Sequence, residues 1–463
     1  MKTTITNRQE RAFLNVHTAL LVGLGLLLTS LACRLSPPAT SEPTDKAVAT
    51  QVAATLTALA PSAVEATSTP ESPSEATTAP TPTEAGLEEL TVVYIDDGDP
   101  WITTASGTPR QLSDAGDGVD VLISDDGQLV VYLRRASGTD TTPPVEIRAV
   151  SAAGSDDRTL MSAEDVNGLY PLDGMLRNDV SSIEFIPGTH DLLLNTRAVP
   201  EGPGLLKYND LLRLDAETGE LTTLFAPEDG GDFVTSPDGE QLALVRPDSI
   251  GIVNSDGSNL RPDAVSYEPV ITYSEFQYYA QPIWSSDSSE LAVMIPSADP
   301  LADSPSGTLW RINTDGSATE AASYAGNFYF AQQGSSSVVA PDFTQVIVPR
   351  EIDSGLEISL APFDGGGVTG YDSGDLGWIG WAPDALHFVY SKGGPMQLQL
   401  GEVTGGPDPL ATGTDLRWTA ADTFLYLSGS RGAWTLRLGS LSGSPVNLVA
   451  PAGDFIPYDF AAP

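Results

Sequence analysis

The sequence predicts an all-β fold, a β-propeller of four-stranded antiparallel blades that is preceded by a disordered linker. From Leu90 onward, short apolar runs alternate with turns rich in Gly, Pro, Asp and Ser, and no long 3.6-residue periodicity appears. A unit of strand, tight turn and strand recurs through this part of the chain. Its length of about 375 residues is large for one sandwich or barrel, which favours an architecture of repeats.

The turn within the repeat has the form Ser-Pro-Asp-Gly and is best preserved at Ser236–Gly239. Proline fixes φ, aspartate can cap the turn, and glycine adopts positive φ without strain. The copies recur at intervals of roughly 40–60 residues, the spacing of propeller blades. In the seven copies, the strand before the turn begins at Val121, Ile183, Phe233, Ile283, Val338, Ile379 and Trp418.

The ends of three of these strands carry a family signature. Trp284-Ser285, Trp381-Ala382-Pro383-Asp384 and Ser236–Gly239 resemble the WD-type repeat of TolB-like β-propellers, whose strand ends in Trp-Ser-Pro-Asp-Gly. The resemblance covers Leu90–Pro463. It implies the propeller fold and leaves the function open, because propellers serve many roles.

The two ends of the repeat region predict how the ring closes. Leu90–Ile95, Trp101–Ala105 and Pro109–Leu112 have the pattern of a blade that lacks its first strand. Asp454–Phe460 has the pattern of a first strand with nothing after it. Joining the two gives an eighth blade and removes exposed sheet edges. Seven blades is the alternative if one degenerate copy is a loop.

The N-terminus predicts export and lipid anchoring. Three basic residues precede the apolar run Ala19–Ala32, which is too short for a bilayer span of about 20 residues and suits a signal peptide. Ser30-Leu31-Ala32-Cys33 resembles a bacterial lipobox, which implies cleavage before Cys33 and lipidation of its thiol. An ordinary cleaved signal and an uncleaved anchor are the alternatives. A single cysteine permits no internal disulfide.

Residues 33–88 are predicted to be a disordered tether. They consist mainly of Ala, Thr, Pro, Ser, Glu and Val and contain no aromatic residue, so they cannot bury enough apolar surface to fold. The sequence thus divides into a signal peptide at 1–32, a tether at 33–88 with the anchor at Cys33, and a propeller at 89–463. We expect an extracytoplasmic monomer that contacts the membrane only through its lipid.

The charge balance excludes some partners. The chain has 22 basic and 62 acidic residues, a net charge of −40. Removing residues 1–32 takes away three basic residues and one acidic residue, which leaves 19 against 61, a net of −42. Nucleic acid and anionic lipid surfaces are therefore poor partners for the propeller. Solubility in an exposed or salty habitat and attraction of a cationic partner both explain the acidity.

Loop length predicts which end of the propeller binds. The first-to-second and third-to-fourth turns are short, whereas the second-to-third loops and the blade connections are long. Long loops on a rigid scaffold commonly carry function. Aromatic residues in two neighbouring connections are candidate binding residues, with core packing as the alternative. They are Tyr267, Tyr273, Phe276, Tyr278, Tyr279, Tyr324, Phe328 and Tyr329.

Acidic residues give a second set of candidates. Asp120, Asp232 and Asp415 stand four residues before the turn motif, and Asp454 holds the matching place in the expected closing strand. Because innermost strands line the channel of a propeller, these four carboxylates are expected to ring its mouth and to bind a cationic or carbohydrate partner. The alternative is that they cap loop-to-strand turns and face water.

Signals for catalysis are weak. His17 lies in the signal peptide, His190 and His387 lie beside tight turns, and no zinc-type cluster or nucleophile elbow occurs. We expect no cofactor, although two groups of aspartates, at 96–99 and 114–120, leave Ca²⁺ open. Three functions remain: a non-catalytic scaffold that binds a protein, peptide or glycan, a carboxylate-type hydrolase or lyase acting on polysaccharide, and a structural part of an envelope complex.

Overall fold

The computed structural model describes residues 90–114, 116–135, 143–202, 206–273, 276–332 and 336–462, without the side chains at 271–276 and 330. The predicted signal peptide, the tether and Cys33 lie outside these residues. Within them, no helix has the length and apolar character needed to cross a bilayer.

The described chain is almost entirely β-structure, with two helices of five residues, α1 (Ala163–Asn167) and α2 (Phe328–Gln332). The strands of its first half are β1 (Thr91–Asp96), β2 (Asp99–Thr104), β3 (Arg110–Gln111), β4 (Gly118–Ile123), β5 (Leu129–Arg135), β6 (Val145–Ser151), β7 (Arg158–Met161), β8 (Arg177–Phe185), β9 (Asp191–Val199), β10 (Leu206–Lys207), β11 (Leu211–Asp215), β12 (Leu221–Phe225), β13 (Asp232–Thr235), β14 (Gln241–Val245), β15 (Ser249–Asn254) and β16 (Arg261–Ser266). Those of its second half are β17 (Ile271–Tyr273), β18 (Phe276–Gln277), β19 (Ile283–Trp284), β20 (Glu290–Pro296), β21 (Ser306–Asn313), β22 (Ala318–Ala325), β23 (Gln345–Ile352), β24 (Gly355–Pro362), β25 (Thr369–Gly374), β26 (Leu376–Trp381), β27 (His387–Lys392), β28 (Gln397–Glu402), β29 (Asp408–Thr412), β30 (Thr414–Trp418), β31 (Thr423–Ser430), β32 (Ala433–Ser440), β33 (Val446–Val449) and β34 (Tyr458–Ala461).

These strands form the eight antiparallel blades of a propeller, as the repeat count predicted. Blade 1 contains β34, β1, β2 and β3 from the inside outward, and blade 2 contains β4–β7. Blade 3 contains β8, β9, β11 and β12, with β10 as an extra pairing on β9. Blade 4 contains β13–β16, blade 5 β19–β22, blade 7 β26–β29 and blade 8 β30–β33.

Blade 6 has the least regular inner strand. β23, β24 and β25 form its sheet, and the segment 338–340 takes the innermost place through a single bridge between Val339 and Val346. The Ile347 amide also donates to the Val338 carbonyl over 2.9 Å. The remaining pair, β17 and β18, is a small hairpin in the connection between blades 4 and 5.

The Ser-Pro-Asp-Gly turns are fixed by their own side chains. In blade 4 the Ser236 hydroxyl donates to the Asp238 carboxylate over 2.6 Å. Gly239 has a φ of +75°, and a Cβ there would lie 2.5 Å from the Pro187 carbonyl of blade 3. Glycine is therefore required both by the backbone conformation and by the close approach of the neighbouring blade.

The closing strand is confirmed, with a later start than expected. β34 pairs with β1, from Tyr458 opposite Tyr94 to Ala461 opposite Thr91. The strand follows Pro457, which has no amide hydrogen to donate to a ladder, so proline suits the position before a strand. Asp454, which was expected on this strand, precedes it in an exposed loop.

The core lies between the faces of neighbouring blades. One cluster joins blades 8 and 1 and includes Tyr94, Leu427 and Tyr458, which are at most 2% exposed. A second joins blades 2 and 3 through residues such as Val131 and Leu194. Because both faces of an inner strand are covered, its polar side chains must find partners within the protein or point along the channel.

Strand order gives the propeller two different ends. The turn face carries the first-to-second and third-to-fourth turns of each blade. The elaborated face carries the second-to-third loops and the blade connections. Among the segments of the elaborated face are 161–177 with α1, 199–211, 266–283 with the β17–β18 hairpin, and 325–338 with α2.

Candidate functional site on the rim of blade 3

Four of the eight candidate aromatic residues are core residues. Tyr278, Tyr324, Phe328 and Tyr329 are between 0% and 6% exposed. Tyr278 and Tyr329 pack against each other with ring centroids 5.8 Å apart. These four rings therefore pack in the core, which was the alternative interpretation, and they are not exposed on the elaborated face.

The other aromatic candidates are less buried. The Tyr267 hydroxyl donates to the Arg246 carbonyl over 2.7 Å. The Tyr279 hydroxyl donates to Asn209 over 2.8 Å, and the Lys207 ammonium lies 4.2 Å from the centre of the Tyr279 ring. Burial raises the pKa of Tyr279 to about 12, an effect that Lys207 only partly opposes. The side chains of Tyr273 and Phe276 lie outside the described part of the structure.

Three of the four candidate acids lie on inner strands as expected. The carboxylate of Asp232 is 2.5 Å from Lys207, and that of Asp415 is 2.9 Å from Arg417. The Asp120 carboxylate accepts the Val121 amide over 2.9 Å. Asp232 and Asp415 are thus ion-paired rather than open to a ligand.

Asp454 does not join this group. It lies four residues before β34 and makes an exposed ion pair of 2.6 Å with Arg431. The aspartates at 96–99 also serve the fold, since Asp99 accepts hydrogen bonds from the Gly116 amide and the Gln111 side chain. Among the described residues, no three His, Cys, Asp or Glu side chains converge to hold a metal ion.

The elaborated face carries a group of side chains that the sequence did not single out. We call residues 170–179, 197–199 and 206–210 the blade 3 rim. It unites the start of β8, the end of β9 and the loop around β10. In β8, period-2 alternation places Arg177 and Asp179 on one face, and Arg197 of β9 lies directly opposite Asp179.

Three arginines meet at one buried carboxylate in this rim. The guanidiniums of Arg135, Arg177 and Arg197 approach the same oxygen, Oδ2 of Asp179, at 2.9, 3.5 and 3.7 Å. The Asp179 side chain is fully buried, and its other oxygen makes no hydrogen bond among the described residues. We call these four residues the arginine cluster.

The pKa values of two arginines of the arginine cluster are lowered. Burial lowers the pKa of Arg177 and Arg197, and the attraction of Asp179, which raises the pKa, does not offset it. Repulsion from Arg135 adds to the lowering in both. Arginine stays protonated at any physiological pH, and burial is the largest cause of the lowered pKa in both residues.

A buried polar network supports the rim from below. Asp210 is 0% exposed and accepts hydrogen bonds from the Thr196 amide at 2.8 Å, the Thr196 hydroxyl at 2.6 Å and the Tyr170 hydroxyl at 3.0 Å. The Tyr208 hydroxyl donates to Asn178 over 2.6 Å, and the rings of Tyr170 and Tyr208 lie 4.7 Å apart. This network attaches the long 161–177 connection to blade 3 and makes the rim rigid.

Two leucines of the rim are exposed. Leu176 is 51% exposed beside Arg177, and Leu206 is 48% exposed on β10, which pairs with the end of β9 next to Arg197. The rim therefore presents apolar and cationic groups together. A weak signal for it existed in the sequence, because eight of the 22 basic residues lie between Arg134 and Arg213.

The turn face holds a different charged site. A groove of about 610 Å³ there is lined by residues that include Arg158, His190 and Glu217. The His190 ring lies 2.8 Å from Glu217 and 3.1 Å from Asp126 of blade 2. His387 also lies on the turn face, 2.7 Å from Asp384 of its own turn. Carboxylates of the turns contact both histidines, so these contacts serve the fold of the turns.

The chain is similar to other β-propellers of known structure. No protein-family model matches the chain, and no curated protein matches it. The β-propeller domain of the Trilobed protease from Pyrococcus furiosus is 14% identical over 72% of this chain and 95% of that chain, with a TM-score of 0.42.

Two other solved structures show a similar degree of likeness. TolB from Acinetobacter baumannii is 13% identical over 73% of this chain and 84% of that chain, with a TM-score of 0.36. An oligogalacturonate lyase from Vibrio parahaemolyticus is 13% identical over 74% of this chain and 83% of that chain, with a TM-score of 0.37. At these identities the likeness does not extend to function.

Proposed function

We propose that this chain is an extracytoplasmic lipoprotein, anchored through Cys33, whose propeller binds a protein or peptide on the elaborated face. The observation that carries the proposal is the blade 3 rim, where arginines, tyrosines and two exposed leucines lie together on a rigid base. Arginine and tyrosine are enriched among the residues that dominate binding energy at protein interfaces.

The contacts of three carboxylates favour a binding function over acid–base catalysis. Asp232 and Asp415 are engaged with Lys207 and Arg417, and Asp210 accepts three hydrogen bonds. A general acid or base needs a carboxylate that can exchange a proton with a substrate. The proposed scaffold needs only a rigid and chemically mixed surface.

The anchor is tested by replacing its thiol. Cys33→Ser removes the atom that would carry the lipid and leaves the propeller unchanged. We expect the full-length variant to move from the membrane fraction to the medium or periplasm, whereas the wild type stays with membranes. A variant that fractionates with membranes as the wild type does contradicts the lipoprotein assignment.

The binding face is tested with three exposed leucines of similar exposure. The full-length protein is used to capture envelope proteins, and Leu176→Ser and Leu206→Ser on the elaborated face are compared with Leu386→Ser, which is 56% exposed on the turn face. We expect capture to fall about fivefold or more for the first two and to persist for the third. Loss confined to Leu386→Ser would place the binding site on the turn face.

A further inference from the structure

A groove lies on the outer side of the propeller, between the outermost strands of blades 2 and 3. It is bounded by β7, by α1 and the two residues after it, and by the start of β12, and its volume is about 520 Å³. That volume falls within the range of roughly 300–1,000 Å³ that is usual for binding sites. Four apolar and two acidic side chains line it, namely Leu160, Met161, Leu169, Leu221, Glu164 and Asp165.

The apolar lining of this groove continues the core between blades 2 and 3. Leu160, Leu169 and Leu221 are half-buried and pack against the cluster that joins these two blades. Met161 is 4% exposed and belongs to the same cluster. The three leucines are thus covered by the core on one side and open to the groove on the other. Burial of this open apolar surface by a partner lowers the free energy.

A β-bulge places Leu160 at the groove. In the ladder between β6 and β7, Met161 lies opposite Ile147 and Thr159 lies opposite Arg148, so Leu160 is the extra residue of a register shift. Such a residue changes the direction of the side chains at a sheet edge. β7 is also the last strand of its sheet, and its outer edge pairs with no other described strand. The groove therefore offers an apolar side chain beside a strand edge that an extended peptide can follow.

One border of the groove is acidic. Glu164 and Asp165 lie in the first turn of α1 and are exposed. Asp165 accepts hydrogen bonds from the hydroxyl and the amide of Ser162 over 2.6 and 3.1 Å, and these bonds hold its pKa below the usual 3.8. The described lining contains no basic side chain, and Arg158 of β7 donates instead to the Ala216 carbonyl over 2.8 Å. The groove thus combines apolar surface with negative charge.

We propose that this groove binds a segment of a partner protein in which an apolar side chain stands next to a lysine or arginine. The apolar side chain packs against Leu160, Leu169 and Leu221, and the basic group lies beside Glu164. The net charge of −40 attracts such cationic segments to the propeller. The site uses the outer strands of two blades and goes beyond the proposed function, which concerns the elaborated face.

A second copy of the chain fits the groove less well. In a contact with twofold symmetry, each groove would face its own copy, so Glu164 and Asp165 would meet carboxylates of the same sign. Two chains that each carry a net charge of −40 also repel each other. A segment that is both apolar and basic complements the two parts of the lining together.

The test measures the binding of hexapeptides to the full-length protein. Each peptide contains two lysines and two leucines among alanines, in a different order. One matched version has glutamine in place of lysine, and another has serine in place of leucine. We expect the parent peptides to bind about fivefold or more tightly than either version. Their binding should weaken as salt is added, because salt screens exposed charges.

Two pairs of variants locate the binding. Leu221→Ser changes the groove, whereas Leu224→Ser changes another half-buried leucine of β12 that packs in the core between blades 3 and 4. Glu164→Gln removes a charge at the groove, and Glu320→Gln removes one from the exposed part of β22 in blade 5. We expect affinity to fall about fivefold or more in Leu221→Ser and about two- to fivefold in Glu164→Gln, and to stay unchanged in the two controls.

Melting temperatures are measured for all four variants. Glu164 is exposed, so Glu164→Gln keeps the test decisive even if Leu221→Ser does not fold. Absence of peptide binding, or equal binding of the parent and glutamine peptides, would overturn the inference. Equal loss in Glu164→Gln and Glu320→Gln, or in the two folded leucine variants, would do the same. A dimer in sedimentation that Leu221→Ser dissociates would assign the groove to a second copy of the chain instead.

Discussion

Tyr458 lies directly opposite Tyr94 in the sheet of blade 1, so the two ends of the propeller belong to one ladder. Both rings are at most 2% exposed and pack in the cluster that joins blades 8 and 1. The neighbouring pair Phe460 and Val92 extends the same contact. The innermost strand of the first blade is therefore supplied by the last residues of the chain.

Removal of the closing strand should destabilise the propeller strongly. Deletion of residues 452–463 exposes the edge of β1 and removes the buried side chains of Ile456, Tyr458 and Phe460. At about 1.5–3 kcal/mol for each buried side chain, we expect a loss of at least 4 kcal/mol in the free energy of unfolding. Denaturant unfolding of the deletion variant measures it.

A point variant and a control accompany the deletion. Phe460→Ala should cost about 3–5 kcal/mol, because a buried ring is lost from a packed cluster. Asp454→Ala should unfold at nearly the same denaturant concentration as the wild type, since it breaks only an exposed ion pair with Arg431. If the deletion unfolds at the same denaturant concentration as the wild type, the strand does not close the ring.

The sequence predicted this closure because both ends carry local patterns of strands. Turn chemistry such as Ser236-Pro-Asp-Gly239 depends on neighbours in the chain, so it is readable from the sequence. The start of the closing strand was placed too early because Asp454 and Phe455 fit the alternation, whereas the ladder begins only after Pro457.

The arginine cluster could not be predicted in the same way. It requires Asp179 to lie opposite Arg197, which follows from the register of β8 on β9, and this register shifts between Val180 and Ser182. It also requires Arg135, the last residue of β5 in another blade. A register with a bulge and a contact between blades leave no fixed spacing in the sequence.

Two of the candidate binding tyrosines should behave as core residues when substituted. Tyr278→Ala and Tyr329→Ala remove rings that are 6% and 4% exposed and that pack on each other. We expect each to lower the free energy of unfolding by about 3–5 kcal/mol. Tyr278→Phe, which keeps the ring, should cost less than about 1.5 kcal/mol.

Stability and the capture of envelope proteins must be measured on the same preparations. Unfolding curves and capture of envelope proteins together separate a core residue from a binding residue. If Tyr329→Ala keeps the stability of the wild type but no longer captures envelope proteins, Tyr329 belongs to the binding site. Loss of both in proportion to the unfolded fraction agrees with a place in the core.

The contact of His190 with Asp126 should make the stability of the propeller depend on pH. Partial burial lowers the pKa of His190, but hydrogen bonds and charge from Glu217 and Asp126 outweigh it and raise the pKa above 6.5. For Asp126, burial raises the pKa, yet Ser124, the Gln128 amide and His190 bring it below 3.8. Both side chains are therefore charged at pH values between the lowered pKa of Asp126 and the raised pKa of His190.

The sign of each contribution follows from the direction of its shift. Because the folded pKa of His190 is raised, its stabilisation is complete below the unfolded value of 6.5 and is lost as pH rises through the folded value. Because that of Asp126 is lowered, its stabilisation is present above 3.8 and is lost as pH falls through the folded value. Together they predict the largest effect between about pH 4 and 6.5.

Substitution of the histidine isolates this effect. We expect wild type and His190→Gln to differ more in the free energy of unfolding at pH 5.5 than at pH 8.5. The difference should be no more than about 1 kcal/mol, because the Asp126 side chain is 46% exposed and water screens the pair. Thermal or denaturant unfolding at both pH values, with Asp126→Asn as a second variant, measures it. A difference that is constant with pH, or larger at pH 8.5, would show that the two blades are not joined by a charged His190–Asp126 pair.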